Sequence, residues 1–305
     1  MKVAVFASGE FSIPLIKHFI DKGELAVLFT KTDKPKGRGM KLKPTPAALA
    51  ASGVDIIKAD KLNKKLLSEY LAYDVDMAVV IDYGIYVPSY FYKREKPFMV
   101  NVHPSLLPRW RGPAPIQWTI YAGDTETGIT LHKLVKEIDA GDILYQVKFP
   151  LTGREKATQL EEFLANKLPE MWDSFVDLYL SGSIEPVPQG ENVSYAPMFD
   201  KSQFHIDFSK SCEEIDRLVR ALADVPGTYS VFRGKKVKIL FGKCKTESED
   251  TGQPGQIMHV SKDYLGIATS KGIFIPLEVK PEGKRAMGIN EFIQGYNPEV
   301  GEFWT

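Results

Sequence analysis

The stretch KVAVFASGEFSIPLIKHFIDKGELAVLFT, residues 2–30, decides the fold. It begins with an apolar run at 2–7, continues through a helical pattern from about Ile13 to Lys22, and ends in a second apolar run at 25–30. A strand, a helix and a strand in this order predict two parallel strands joined by a crossover helix. The run MAVVI at 77–81 predicts another central strand. We therefore expect an α/β first domain on a doubly wound, mostly parallel sheet.

The composition bounds the class of protein. The 305 residues are 44% hydrophobic and 26% charged, an ordinary globular mixture whose length favours two domains. No run approaches the roughly 20 apolar residues of a membrane span, and the first apolar run is too short for a secretory signal. Cys212 and Cys244 have neither metal-ligand spacing nor the density of a disulfide scaffold. We expect a reduced, cytoplasmic setting.

A Pro- and Gly-rich segment separates two differently patterned regions. The segment SIEPVPQGENVSYAPMFD, residues 183–200, lacks a strong period and predicts a linker. Beyond it, short strand-like runs between Gly turns predict a small β-barrel of the oligonucleotide-binding (OB) type. The predicted division is a domain at 1–184, a linker at 185–203 and a barrel domain at 204–305.

Two polar side chains mark a candidate site. Asn101 and His103 follow an apolar run, and alternation along a strand puts them on one side of its carboxyl end, where open α/β sheets build ligand sites. Asp139 lies in a later small-residue turn, and the residues alone leave open whether it caps a helix or joins the pair. A buried core histidine and a turn-forming asparagine are the alternatives for the other two. The remaining histidines are scattered, so we expect no metal site.

The net charge is zero, but two segments are locally basic. Residues 31–43 hold six Lys or Arg and one acid, and are expected to form an exposed, mobile loop. Residues 233–245 hold six Lys or Arg and no acid. Each could be a solvated surface or a phosphate-binding patch. The chain has no G-x-G-x-x-G fingerprint and no P-loop, so a nucleotide cofactor is not indicated.

One motif resembles a known family. NVHPSLLPRWRGPAPIQ, residues 101–117, with Asp139-Ala-Gly-Asp142 downstream, resembles the folate-dependent formyltransferases. Residues 36–44, KGRGMKLKP, resemble the basic insertion loop of the members that act on tRNA. Residues 226–229 and 281–287 resemble the C-terminal domain of those members. The resemblance implies a Rossmann-like sheet followed by an OB-like barrel. It also implies formyl transfer from 10-formyltetrahydrofolate to the methionine amine of initiator methionyl-tRNA.

The resemblance also implies roles for individual residues. Asn101, His103 and Asp139 would be catalytic. The folate pocket would be formed by Ser105, Leu106, Leu107, Pro108, Asp82, Tyr83, Gly84 and Asp142. The tRNA would be contacted by Lys36, Arg38, Lys41, Lys43, Lys235 and Lys236. The protein is expected to be a monomer that needs no metal.

The sequence departs from the family pattern at two places beside the pocket. Asp82 replaces a small residue before Tyr-Gly, and Ser8-Gly9-Glu10 replaces the common Gly-Thr-Pro. Three alternative functions use related features. They are formyl transfer to a small amine such as an amino sugar nucleotide, hydrolysis of the formyl donor, and non-catalytic binding of RNA or folate.

Overall fold

The structure, a computed structural model, describes residues 1–36, 41–223, 225–246 and 252–305. It divides into two compact units. The first unit comprises 1–112, 126–149 and 161–195, and the second comprises 113–125, 150–160 and 196–305. Among the described residues, no helix is both long and apolar enough to cross a membrane.

The secondary structure alternates strands and helices before it becomes strand-rich. The strands are β1 (Val3–Ala7), β2 (Leu25–Thr30), β3 (Lys34–Lys36), β4 (Lys41–Lys43), β5 (Asp55–Lys58), β6 (Met77–Ile81), β7 (Phe98–His103), β8 (Glu126–Lys133), β9 (Ile143–Pro150), β10 (Thr228–Phe232), β11 (Lys235–Lys245), β12 (Ile257–Val260), β13 (Leu265–Ala268), β14 (Ile273–Pro281) and β15 (Met287–Gly288). The helices are α1 (Ile13–Asp21), α2 (Pro46–Ala50), α3 (Lys64–Ala72), α4 (Ser89–Tyr92), α5 (Pro115–Ala122), α6 (Ala157–Leu180), α7 (Cys212–Ala221) and α8 (Ile289–Tyr296). Two 3-10 turns lie at Glu10–Ser12 and Lys201–Phe204.

A seven-stranded sheet in the order β5-β2-β1-β6-β7-β8-β9 organises the first unit. The strands from β5 to β7 in this order run parallel, and every residue of β1 and β6 is buried. Such continuously apolar strands need cover on both faces, which is why they lie at the sheet centre. The doubly wound, mostly parallel sheet predicted from residues 2–30 is confirmed.

The sheet reverses direction at β8, and this reversal builds the site. Ile81 at the end of β6 lies opposite Val102 of β7, so both strands end at one edge. β8 runs antiparallel to β7 and puts His132 opposite Asn101. A polar residue of β8 therefore lies beside the pair that sequence alternation had brought together.

One local prediction was wrong. The basic segment was expected to form an exposed, mobile loop, but among its described residues β3 and β4 pair antiparallel, Lys34 with Lys43 and Lys36 with Lys41. Residues 157–180 form one continuous helix, α6, with Pro169 inside it and with Leu168 and Trp172 on its buried face.

A strand-rich barrel follows in the second unit. Strands β10-β11-β14-β13-β12 form an antiparallel sheet, with β15 paired to β14. The chain end bridges both edges, because Trp304 pairs with Phe232 at the end of β10 and Phe303 pairs with Gln256 just before β12. Trp304 is 1% exposed and belongs to the barrel core. The predicted small C-terminal barrel is confirmed.

Two features of the barrel unit were invisible to sequence spacing. Cys212 and Cys244, separated by 32 positions, are joined as a disulfide with their Cα atoms 5.2 Å apart, although the cysteine pattern had predicted none. Arg233 belongs to a segment without acids, yet it forms a two-pronged ion pair with Glu302, with both contacts at 2.7 Å. Side chains far apart in sequence therefore neutralise part of the second basic segment.

Candidate active site

Strand β7 carries two of the predicted catalytic side chains, and a loop between β8 and β9 supplies the third. Asn101 Nδ2 lies 3.5 Å from Asp139 Oδ1, and His103 Nδ1 lies 3.6 Å from Asp139 Oδ2. His103 is 5% exposed, so the imidazole is almost fully enclosed. An amide, an imidazole and a carboxylate thus meet at the carboxyl edge of the sheet.

The hydrogen bonds of His103 define which ring nitrogen is free. Nε2 lies 2.8 Å from the backbone carbonyl oxygen of Trp110, which can only accept, so Nε2 carries the proton. In the neutral ring Nδ1 then has a lone pair that faces Asp139. Burial lowers the pKa of His103, against an opposing influence from the charge of Asp139. The resting imidazole is therefore neutral at physiological pH.

Asp139 is held in an unusual backbone conformation. Its φ is +51°, a left-handed value that costs a non-glycine residue about 1 kcal/mol or more. Its Oδ2 accepts a hydrogen bond of 2.9 Å from the backbone N–H of Gly112. Burial opposes ionisation of this carboxyl, but its polar contacts, among them the Gly112 N–H, outweigh it and hold the pKa below its usual value. Asp139 is therefore a carboxylate poised beside a neutral histidine.

Sequence reasoning missed His132, which had been grouped with the scattered histidines. Its Nδ1 donates to the Lys133 carbonyl at 2.8 Å, and its Nε2 accepts from Asn101 Nδ2 at 2.9 Å. Nε2 also lies 3.6 Å from Asp139 Oδ1. His132 thus orients the Asn101 amide. Its position in an alternating strand was a usable signal, but strand pairing across the β7–β8 register was needed to bring it to Asn101.

Asp82 lies against the loop that leaves β1. It follows β6 with a left-handed φ of +45°, and its carbonyl accepts the backbone N–H groups of Ser8 and Gly9. A Cβ built on Gly9 would lie 1.6 Å from Asp82 Oδ2, so the carboxylate occupies the space that a side chain at position 9 would need. The two departures from the family pattern, at 82 and at 8–10, are therefore one structural change.

The surroundings of Asp82 disfavour its charge. Although the residue as a whole is exposed, its carboxyl group lies against the Gly9 backbone. Burial of that group raises its pKa from 3.8 to about 6, with the Phe11 N–H and Lys31 opposing. Burial also raises the pKa of Glu161, reinforced by the charges of Asp82 and Glu10. Asp82 and Glu161 therefore both have pKa values above the ordinary carboxyl range.

We expect Asp82→Asn to stabilise the protein at neutral pH. The folded pKa is raised, so folding favours the protonated acid: its contribution is fully present below pH 3.8 and is lost as pH rises through about 6. An asparagine is neutral throughout and tolerates the left-handed backbone. The difference in melting temperature between variant and wild type should therefore grow as pH rises from 4 to 7, as measured by thermal unfolding at each pH.

Asp74→Asn is the matched control for this prediction. Asp74 has the same φ of +45° but lies at the surface, with its side chain 89% exposed. The difference in melting temperature between Asp74→Asn and wild type should not grow in the same way as pH rises. Equal pH profiles for the two variants would contradict the assigned role of burial at Asp82.

Comparisons with known proteins agree with this architecture. A family model described as formyl transferase matches residues 1–172, and the model of the formyl transferase C-terminal domain matches residues 198–297. The chain belongs to the formyl transferase family. Methionyl-tRNA formyltransferase of Coprothermobacter proteolyticus is 35% identical to it, with 99% of each chain covered. The enzyme of the same name from Bdellovibrio bacteriovorus is 34% identical, covering 99% of this chain and 98% of that relative.

A solved structure shares the fold. The N-formyltransferase of Helicobacter canadensis, determined with folinic acid and dTDP-3-aminofucose, superposes with a TM-score of 0.67 at 19% identity. The match covers 90% of this chain and 98% of that chain. At this identity the likeness is one of fold.

Several predicted folate-contacting residues of this formyl transferase have side chains that pack inward. Ser105, Leu107 and Tyr83 are 1%, 3% and 2% exposed. Ser105 Oγ donates to the Arg109 carbonyl at 2.7 Å, and Tyr83 packs edge-on against Phe6 with ring centroids 5.6 Å apart. These three side chains are occupied by the protein itself, so a ligand would meet their backbone.

The other predicted pocket residues are more open. Leu106 and Pro108 are partly buried, and Gly84 is exposed with a left-handed φ of +62°. Asp142 forms an ion pair of 3.2 Å with Lys133 Nζ, so its charge is already partnered. Asp82 and Gly84 follow the carboxyl end of β6, and Leu106 and Pro108 follow the carboxyl end of β7.

Five of the six predicted tRNA-contacting residues lie on three strands, β3, β4 and β11. Lys41 and Lys43 are exposed on β4, and Lys36 ends β3. Arg38 lies outside the described residues. In the second unit, Lys235 and Lys236 are exposed on β11, where the ammonium of Lys236 lies 3.5 Å from the ring centroid of Tyr229.

Proposed function

We propose that this chain transfers the formyl group of 10-formyltetrahydrofolate to the amino group of methionine on initiator tRNA. The observation that carries the proposal is the meeting of Asn101, His103 and Asp139 within 3.6 Å at the sheet edge. Acyl transfer needs a proton acceptor for the attacking amine and a donor for the oxyanion, and this cluster offers both. The names of the full-length relatives support methionyl-tRNA as the acceptor.

His103 is suited to move the proton. Its Nε2–H is engaged by the Trp110 carbonyl, so it is not available to bond an oxyanion. The free Nδ1 of the neutral ring can instead accept the proton that the amine loses on attack. Asp139, 3.6 Å away, would stabilise the resulting imidazolium, which then protonates the departing N10 of the folate.

Asn101 is suited to stabilise the intermediate. Attack on the formyl carbon puts a negative charge on the former carbonyl oxygen, and an aimed amide donor is typically worth about 3–4 kcal/mol there. One hydrogen of Asn101 Nδ2 is fixed on His132 at 2.9 Å, while the other makes a long 3.5 Å contact with Asp139. The second hydrogen can turn to the oxyanion at little cost because its resting bond is weak.

Exposed cations would bind the tRNA. Phosphates attract Lys and Arg, and such contacts weaken with added salt. On the first unit the contacts proposed are Lys36, Arg38, Lys41 and Lys43. On the barrel they are Lys235 and Lys236. The folate contacts proposed are those given above, and reaction on aminoacylated tRNA implies a cytoplasmic protein.

A formyl-transfer assay tests the proposal directly. Purified protein with 10-formyltetrahydrofolate should formylate methionine-charged initiator tRNA, with elongator methionyl-tRNA as the control and an amino sugar nucleotide as the small-amine competitor. We expect initiator tRNA to give the highest kcat/KM. Faster transfer to the amino sugar, or formate release at the same rate without any acceptor, would overturn the assignment.

A further inference from the structure

A side chain from the segment after α6 reaches the catalytic loop. Gln189 Nε2 donates to the carbonyl oxygens of Asp139 and Gly141, at 2.8 and 2.7 Å. Its Oε1 accepts from Nε and Nη2 of Arg111, at 2.9 and 2.7 Å. Both hydrogens and the oxygen of this amide are therefore engaged. This arrangement requires a side chain with two N–H donors and one acceptor oxygen, and the amide of glutamine supplies them.

Arg111 connects this amide to the second catalytic loop. Its neighbour Trp110 supplies the carbonyl that fixes the His103 tautomer, and its other neighbour Gly112 supplies the N–H that binds the Asp139 carboxylate. Gln189 thus ties the loop that presents Asp139 to the loop that holds both catalytic groups in place. The Gln189 amide and the Arg111 guanidinium together make this connection between the two loops.

The backbone of the same segment binds both loops as well. Val187 exchanges two hydrogen bonds of 2.8 Å with Ile143, which follows the Asp139 loop. Ser194 accepts from the Trp110 N–H with its side chain at 3.0 Å and from the Arg111 N–H with its carbonyl at 2.9 Å. Residues 187–194 therefore form a strap across the two loops, and all of these contacts lie within the first unit.

The loops that the strap crosses are strained. Asp139 and Trp110 both adopt left-handed backbone, with φ of +51° and +65°. Such conformations persist where several surrounding contacts hold the backbone in place. Hydrogen bonds to the carbonyl of Asp139 itself and to that of Gly141, two residues further on, are the kind of contact that would do so.

We propose that Gln189 is a positioning residue: its amide sets the separation of the Asp139 carboxylate and the His103 imidazole. The inference rests on the proposed roles of those two residues. Gln189 does not touch the reacting atoms and acts through Asp139. Loss of the amide would let the carboxylate move from the ring, and so would change both turnover and the titration of His103.

Two variants separate the parts of this role. Gln189→Met keeps the length and removes every hydrogen bond. Gln189→Glu keeps an acceptor for Arg111 but replaces the two donors with oxygen, which faces the carbonyls of the Asp139 loop unfavourably. Gly190→Ala is the control, because a Cβ there meets nothing within 4 Å.

We expect Gln189→Met and Gln189→Glu to lower kcat about tenfold, since small misplacements at a reacting centre are costly, with KM for both substrates nearly unchanged. In the Asp139→Asn background, Gln189→Met should cause no further loss if it acts through that carboxylate. The charge of Asp139 raises the pKa of His103, so a displaced carboxylate should lower it. Titration of isotope-labelled histidine by NMR measures this shift without any substrate.

The outcomes decide the inference independently of the reaction. A lower His103 pKa in Gln189→Met, with Gly190→Ala unchanged, supports positioning even if the wild type fails to formylate methionyl-tRNA. That failure would instead contradict the proposed function. An unchanged His103 titration together with unchanged kcat would overturn the positioning role. Equal losses in the wild-type and Asp139→Asn backgrounds would also overturn it, because Gln189 would then act elsewhere.

Discussion

Asp139→Asn is expected to reduce kcat for formyl transfer by about 10²–10⁴-fold while leaving KM for folate and tRNA nearly unchanged. The carboxylate lies 3.6 Å from His103 Nδ1, where it would stabilise the imidazolium formed during attack. An asparagine fits the same space and the left-handed backbone but carries no charge. The variant would therefore lose stabilisation of the transition state and would keep its affinity for the substrates.

The pH profile supplies a second observable for the same variant. Burial keeps the pKa of His103 below its ordinary 6.5, so the acid limb of kcat/KM for the wild type should lie below pH 6.5. The charge of Asp139 raises that pKa, and removing it should move the limb to still lower pH. Steady-state rates across the pH range measure this movement.

Glu137→Gln is the control for Asp139→Asn. Glu137 is an exposed carboxylate on the same loop, two residues before Asp139. Its variant should retain wild-type kcat and pH profile. Wild-type turnover in Asp139→Asn itself would remove the carboxylate from the mechanism.

Gly141→Ala is expected to cost both activity and stability. A Cβ at this position would lie 1.9 Å from the carbonyl oxygen of Lys133, whereas real Cβ contacts essentially never fall under 3.0 Å. That oxygen accepts the Nδ1–H of His132, so the backbone of the loop or of β8 must move by about 1 Å in a place that orients Asn101. We expect kcat to fall on the order of 10²-fold and the unfolding free energy to fall by about 1–3 kcal/mol.

Gly190→Ala serves as the comparison, since it adds the same methyl group in open space. Thermal unfolding and single-turnover formyl transfer should separate the two alanine variants. If Gly141→Ala kept wild-type turnover, the tight packing of the Asp139 loop on β8 would have no catalytic importance.

The outline of the fold could be predicted because it depends on local patterns. Apolar runs at 2–7, 25–30 and 77–81 form strands wherever a core covers them, and the crossover helix between the first two determines that they run parallel. The alternation of a strand likewise put Asn101 and His103 on one side before any partner was known. These inferences depend only on residues that are close together in the sequence.

Contacts between distant segments could not be predicted in this way. His132 reaches Asn101 through the register of β7 and β8, and a shift of one residue would turn it to the opposite face. The ion pair of Arg233 with Glu302 spans 69 positions, and the disulfide of Cys212 with Cys244 spans 32. No period or spacing in the chain encodes such meetings.

The amino-acid sequence by itself determined the two-part α/β and β architecture and the chemical types of the proposed catalytic side chains, because strand and helix periods act over a few residues. Tertiary structure alone decided their working states. It enclosed His103 with its Nε2–H on a carbonyl, turned Asp139 into a left-handed loop, and brought Gln189 across both. Protonation and orientation depend on burial and on partners from other segments, and only the folded chain supplies these.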